Sequence, residues 1–271
     1  MTREDAEQIL ADAAIAPGDA FPLLEAALAC AVHDDPQRDS APVRVLADQI
    51  AARLSRRLVS ESAEEAIAET LSGDFHFTGE LINWHDPAGA DLIAVAERRR
   101  GLPAALGVFY LDAARRCRLP VAGVDFPGHF LLRIESREGP LALDPFSEGR
   151  VVLPSELTKR ALRAGLTPAV ADRLDLLMAP VDDRAVLIRL QNVIFARAQR
   201  AGDYAIAERA ALRRALLDPY DHRAWIDVAA AREGQGALAG ALEALAKAQM
   251  LDGGAAIAAR AARERVRLRL N

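Results

Sequence analysis

"FPGHFLLRIESREGPLALDPF", residues 126–146, decides how the rest of the chain is read. It spells two short strands joined by a hairpin. His129 opens the first strand and Asp144 closes the second. A His and an Asp on neighbouring strands are two parts of a nucleophile–His–Asp triad, in which the Asp would orient the imidazole and the His would shuttle a proton. The third part has to be sought elsewhere in the chain.

The surroundings of this stretch are helical in character. The chain has 271 residues, suited to one large or two small domains, and Ala and Leu favour helix. The net charge is −5, and the arginines are interspersed with Asp and Glu. Without a basic stripe, nucleic acid is not an expected partner. Glu97-Arg98-Arg99-Arg100 is a charge run that suits a solvated helix end. The two cysteines, Cys30 and Cys117, lack zinc-binding spacing and fit a reducing cytoplasm. The start "MTREDAEQIL" is amphipathic and unlike a signal peptide, and no run reaches the ~18 apolar residues of a membrane helix. A cytoplasmic protein with no membrane partner and no cofactor is expected.

Prolines and glycines divide the N-terminal part. Helices are expected over 2–14 and 20–33, then over a long segment entered through Pro42. Ser60 reads as the N-cap of the next helix, and "SGDFHFTGELINWHDPAGAD" as an ordered loop. "ADLIAVAERRR" should close at Gly101, and Pro103 should open a helix running to about Arg118. Strands are expected near 121–125, 129–135 and 140–144, and helices opened by Pro154 and Pro168.

The C-terminal part repeats. At an offset of 34, Gly202 falls on Gly236, Ala207 on Ala241, Leu217 on Leu251 and Asp218 on Asp252. This is the period of tetratricopeptide helix pairs. Pro219 ends the first unit and Trp225 takes the Trp position of the second, although Gly253 and Arg232 replace the usual Pro and Tyr. So few units are expected to lean on the N-terminal domain.

Arg100, Gly101 and Pro103, then Gly123, Val124, Phe126, Pro127, Gly128, His129 and Phe130, then Asp144, Pro145 and Phe146, resemble the motifs of the SirB1 family in order. The resemblance implies a bacterial protein with a transglutaminase-like domain followed by tetratricopeptide-like helices. The fold expected is therefore α+β and mostly helical. A papain/transglutaminase-like core with a small antiparallel sheet would occupy 1–180. TPR-like (tetratricopeptide-like) repeats would occupy 184–271, with a linker at "APVDDR", Ala179 to Arg184.

In the transglutaminase-like superfamily a cysteine opens the helix before these strands, where the helix dipole and the imidazolium favour a thiolate. Here Pro103, Ala104 and Ala105 stand in that region, and none can attack a carbonyl. Cys117 lies about 12 residues farther on, roughly 18 Å along the helix. Cys30 reads as a core thiol.

His129 and Asp144 are thus the candidate catalytic pair, read as a remnant without its nucleophile. Trp84, His85, Asp86, Phe126 and Phe130 are the candidate binding residues. Ser60, Ser62, Ser72 and Ser147 suit caps and loops, and His76, His85, Asp74 and Asp86, taken together with His129, match no metal signature. Two function classes follow. One is a non-catalytic, pseudoenzyme-like module that binds a peptide or protein, possible as a regulator. The other is a hydrolase or acyl transferase using His129 and Asp144 with an unrecognised nucleophile or an activated water.

Overall fold

The computed structural model describes residues 1–82, 86–136, 139–251 and 255–270. Helices α1 (Arg3–Ile15), α2 (Leu23–Asp34), α3 (Ala41–Arg57) and α4 (Ala63–Ala68) come first, and α4 runs into a π-helical turn, Glu69–Asp74. β1 (Thr78–Gly79) and β2 (Arg100–Gly101) pair in parallel on either side of α5 (Leu92–Arg98). Helix α6 (Pro103–Arg116) leads into β3 (Val121–Val124), β4 (Leu131–Ser136), β5 (Gly139–Asp144) and β6 (Arg150–Val152). These four strands form an antiparallel sheet in the order β3-β4-β5-β6. Then come α7 (Pro154–Arg163), α8 (Pro168–Ala171), α9 (Leu174–Leu177), α10 (Asp183–Ala201), α11 (Tyr204–Leu217), α12 (His222–Gly234), α13 (Leu238–Leu251) and α14 (Ala255–Leu270).

Proline sits in the first turn of α3, α6, α7 and α8, where its missing N–H costs no helical bond. Two boundaries differ from the sequence reading. Ser62, not Ser60, caps α4, its side chain accepting from the Glu65 N–H. Arg99, not Gly101, takes the left-handed conformation that ends α5, with φ 58°. That reversal releases Arg100 and Gly101 to pair with β1. Gly101 is needed for close approach instead: a Cβ there would lie 2.8 Å from Val95 Cγ2.

The described residues fold into two compact units whose residues interleave along the chain. One holds Pro17–Leu28 and Arg38–Leu187; the other holds Met1–Ala16, Ala29–Gln37 and Ile188–Asn271. Helix α1 belongs with the C-terminal helices, because it packs on α11 and is tied to His33 by Arg3 and Glu7.

The sheet-bearing unit is built around α6, which is buried from Ala104 to Leu111. Phe130 packs between helix and sheet. A Cβ on Gly107 would fall 2.2 Å from its ring, and one on Gly123 would fall 3.3 Å from it. Under α7, Phe126, Leu131, Ala142, Val152, Leu157 and Ala161 share a second apolar cluster. The Phe126 and Phe130 side chains are 0% and 2% exposed. Both therefore sit in the core of this unit.

In the helical unit, α11 and α13 begin and end 34 residues apart. Each follows a left-handed glycine, Gly202 (φ 73°) and Gly236 (φ 77°), and each buries the matching alanine, Ala207 and Ala241. Trp225 is half-buried against the α12–α13 cluster, with the Lys247 ammonium 4.3 Å from its ring centre. Asp252 and Gly253, used in the 34-residue frame, lie outside the described residues. Fully buried Arg213 donates to Gln191 Oε1 at 2.7 Å and to the Cys30 carbonyl at 3.0 Å, and faces Asp34 at 3.1 Å. Among the described residues, no helix is long and apolar enough to cross a membrane.

Candidate functional site

The candidate site forms where three elements of the sheet-bearing unit meet: the turn before β4, the end of β5, and α7. The segment Phe126–His129 closes on itself, the His129 N–H donating to the Phe126 carbonyl at 2.9 Å. Gly128 makes this possible with φ +73°, a conformation that L side chains resist. The strand ladder then starts at Leu131, paired with Val124, so His129 stands just ahead of the strand. The turn rests against the end of α7, where a Cβ on Gly128 would make van der Waals contact, 3.6 Å, with Ala164.

Asp144 ends β5 with its carboxylate buried at 3% exposure. Its oxygens are occupied. Oδ1 accepts from the Phe146 and Ser147 N–H groups at 3.1 and 3.4 Å, capping the short 3-10 turn Pro145–Ser147. Oδ2 accepts from Ser147 Oγ at 3.1 Å and from Arg160 Nη1 at 2.8 Å. Arg160 comes from α7 and is itself largely covered. Burying a carboxylate is costly unless it is paired and hydrogen-bonded, and this one meets both conditions without the imidazole.

His129 is exposed, and its ring makes no hydrogen bond among the described residues. Its pKa lies below the usual histidine value. Partial desolvation is the main cause and the Arg160 charge adds to it, against the opposing pull of Asp144. In a working triad the carboxylate supports the imidazolium. Here the cation beside it cancels much of that support.

The start of α6 supplies no nucleophile. Pro103 is half-buried, Ala104 and Ala105 are buried, and Leu102 offers no side-chain cap. Cys117 lies at the far end of the same helix, where its Sγ donates to the Ala51 carbonyl at 3.5 Å and burial raises its pKa. Both observations describe an inert thiol. Cys30 is buried in α2. Ser147 gives its proton to Asp144 and so caps a turn.

The other candidates are Trp84, His85 and Asp86. Asp86 caps the turn Pro87–Ala90 by accepting from the Ala88 N–H at 2.9 Å, and it pairs with Arg98 at 2.7 Å. Those two bonds, the backbone one first, hold its carboxyl below the usual range. Trp84 and His85 lie outside the described residues. Among the described residues, no group of three or more His, Cys, Asp or Glu side chains comes together to hold a metal.

Two participants escaped the sequence reading. Arg160 is sixteen residues from Asp144 and on another element, so spacing carries no trace of it. Tyr110 lies two turns into α6, fully buried, with an Oη that lacks a hydrogen-bond partner among the described residues. A Cβ on Gly149 would come within 2.9 Å of that oxygen. Burial, then the negative Asp144 and Glu148, push the phenol's pKa up. The Asp-Pro-Phe-Ser order did carry one usable signal, since Asp before Pro with Ser three residues on is a capping pattern.

Comparison with known proteins agrees with this architecture. The sequence profile of a family described as "Transglutaminase-like superfamily" matches residues 41–192. A "UPF0162 protein" of Vibrio cholerae is 30% identical over 215 residues, covering 76% of this chain and 78% of that one. A "UPF0162 protein" of Xylella fastidiosa is 36% identical over 126 residues, and the match spans 46% of this chain and 45% of that relative's length. Human "F-box only protein 21" is 28% identical over 100 residues, 34% of this chain and 16% of that one. No solved structure matches. With the transglutaminase-like profile over more than half of its length and a UPF0162 relative aligned over three quarters of it, the chain belongs to the transglutaminase-like superfamily and, within it, to the SirB-like UPF0162 proteins.

Proposed function

We propose that the protein is a non-catalytic transglutaminase-like module that binds a peptide or protein partner in the cytoplasm, in a regulatory role. One observation carries the reading: the carboxylate that would orient His129 is bonded to Arg160 and to a turn, while inert residues hold the start of α6. An unoriented, weakly basic imidazole with no nucleophile before it has little to offer acyl transfer.

The C-terminal helices supply the binding half of the proposal. Their 34-residue recurrence supports assigning them as tetratricopeptide-like units, whose stacked pairs present concave faces to extended ligands. On the sequence resemblance alone, Trp84 and His85 are proposed as further contacts. No cofactor is needed.

The hydrolase or acyl-transferase alternative would require His129 to act with water or a remote nucleophile, and the Arg160–Asp144 pair weighs against it. The test is turnover of aryl esters and of glutamine- and lysine-containing peptides by the full chain and by His129→Ala. The expected result is the same background rate for both. Turnover that His129→Ala abolishes would overturn the proposal.

A further inference from the structure

A separate concavity in the sheet-bearing unit lies between α3 and the π-helical turn. Its volume is about 370 Å³, and it is lined by Gln49, Ala52, Arg53, Arg56, Asp74 and Phe75. The α3 residues recur at helical spacing and so form one wall. The opposite wall is Asp74 and Phe75, at the end of the π turn Glu69–Asp74.

The charges here are arranged unevenly. Asp74 is saturated with cations. Arg53 grips it through two parallel bonds, Nε at 2.7 Å and Nη2 at 3.0 Å, and Arg57 adds a third at 2.8 Å. Arg57 is also held by Glu61 at 2.7 Å. Arg56 is different: it lines the pocket, is exposed, and has no ion-pair or hydrogen-bond partner among the described residues. Three guanidinium groups thus meet two carboxylates, leaving one positive charge in excess. The Arg53 fork is held by its bidentate bond, and its Nη1 makes no hydrogen bond among the described residues.

Two backbone features mark the same wall. π-helical turns are rare and recur at functional sites. His76, two residues after Asp74, holds φ at 60°, a left-handed value uncommon for a side-chain-bearing residue. Phe75, between these two features, lines the concavity along with the arginines.

We propose that this pocket binds an oxyanion, carboxylate or phosphate, carried on a flat apolar group. Arg56 and the free edge of Arg53 take the anion, since a guanidinium fork matches both oxyanions. The Phe75 ring and the Ala52 methyl take the apolar carrier.

The test is an NMR titration of the full chain with benzoate, phenyl phosphate and inorganic phosphate at constant ionic strength. Shifts are expected for residues 49–56 and 74–76, saturating with the aromatic ligands at lower concentration than with inorganic phosphate. The tighter of the two aromatic ligands identifies the anion. Arg56→Ala should weaken binding by about tenfold, the loss of one charge-assisted hydrogen bond. Arg56 is exposed and unpaired, so this change leaves the fold intact. Arg44→Ala, on the same helix but paired to Glu25 and outside the pocket, should leave binding unchanged. Three results would overturn the proposal: no saturable shift, an unchanged affinity in Arg56→Ala, or equal loss in Arg44→Ala.

Discussion

Each compact unit brings a histidine, a carboxylate and an arginine together, and the two arrangements are opposites. In the helical unit His33 is buried at 1% exposure and bonded to Glu7 at 3.2 Å, while Arg213 faces Asp34. In the sheet-bearing unit the histidine of the conspicuous motif, His129, is exposed, its ring unbonded among the described residues, and Arg160 holds its Asp. The engaged histidine is the one the sequence does not advertise. The comparison teaches that proximity of His and Asp in a motif does not make them partners. An arginine from a third element competes for the carboxylate, and its guanidinium keeps its charge at any ordinary pH.

The largest effect should come from Arg213. Arg213→Met leaves Asp34 with Arg209 as its one remaining arginine and removes donors from Gln191 Oε1 and the Cys30 carbonyl. A loss of roughly 3–5 kcal/mol is expected in urea unfolding, the sum of several charge-assisted bonds made by one buried guanidinium. A loss below about 1 kcal/mol would show that the interior of the helical unit does not depend on this cation.

Acid should act next. His33 is held down to about 4 from 6.5, first by burial and then by Arg213, with Glu7 pulling the other way. The unfolded chain therefore binds the proton more readily between those values. Stability from this group is complete above about pH 6.5 and falls as the pH drops toward 4, by about 3 kcal/mol in all. Unfolding followed across this range in wild type and His33→Gln should show the slope reduced in the variant.

Arg160→Ala should cost less, about 1–3 kcal/mol, because Asp144 keeps three other donors. Thermal unfolding measures it. His129→Ala should be smallest, within about 0.5 kcal/mol, as expected of an exposed side chain without partners. If His129→Ala proved as costly as Arg160→Ala, the contrast between the two regions would collapse.

Much of the framework was legible because local rules act at short range. Pro42, Pro103, Pro154 and Pro168 each open the helix that their fixed φ favours. Gly202 and Gly236 sit at matching left-handed turns, so the 34-residue recurrence in the letters is a recurrence in space. What stayed hidden depends on approach between distant segments. Nothing in the vicinity of Gly101 says that Val95 will press on it, or that the reversal will fall at Arg99. Phe126 and Phe130 flank the motif histidine, but only the Gly107 and Gly123 surfaces show why the Phe130 ring turns inward. Neither the short β6 nor the π turn has a periodic pattern long enough to read.

The central claim is that Asp144 serves Arg160 and not His129. It is tested most directly by the His129 pKa, read from its ring resonances by NMR in wild type and Arg160→Ala. In wild type it should titrate below 6.5, with no downfield ring N–H proton of the kind a carboxylate-bound imidazole shows. In Arg160→Ala it should rise, because the repelling cation is gone and the Asp144 charge is no longer countered. A wild-type value above 6.5 with a protected ring N–H, unmoved by Arg160→Ala, would contradict the account and restore the His–Asp pair.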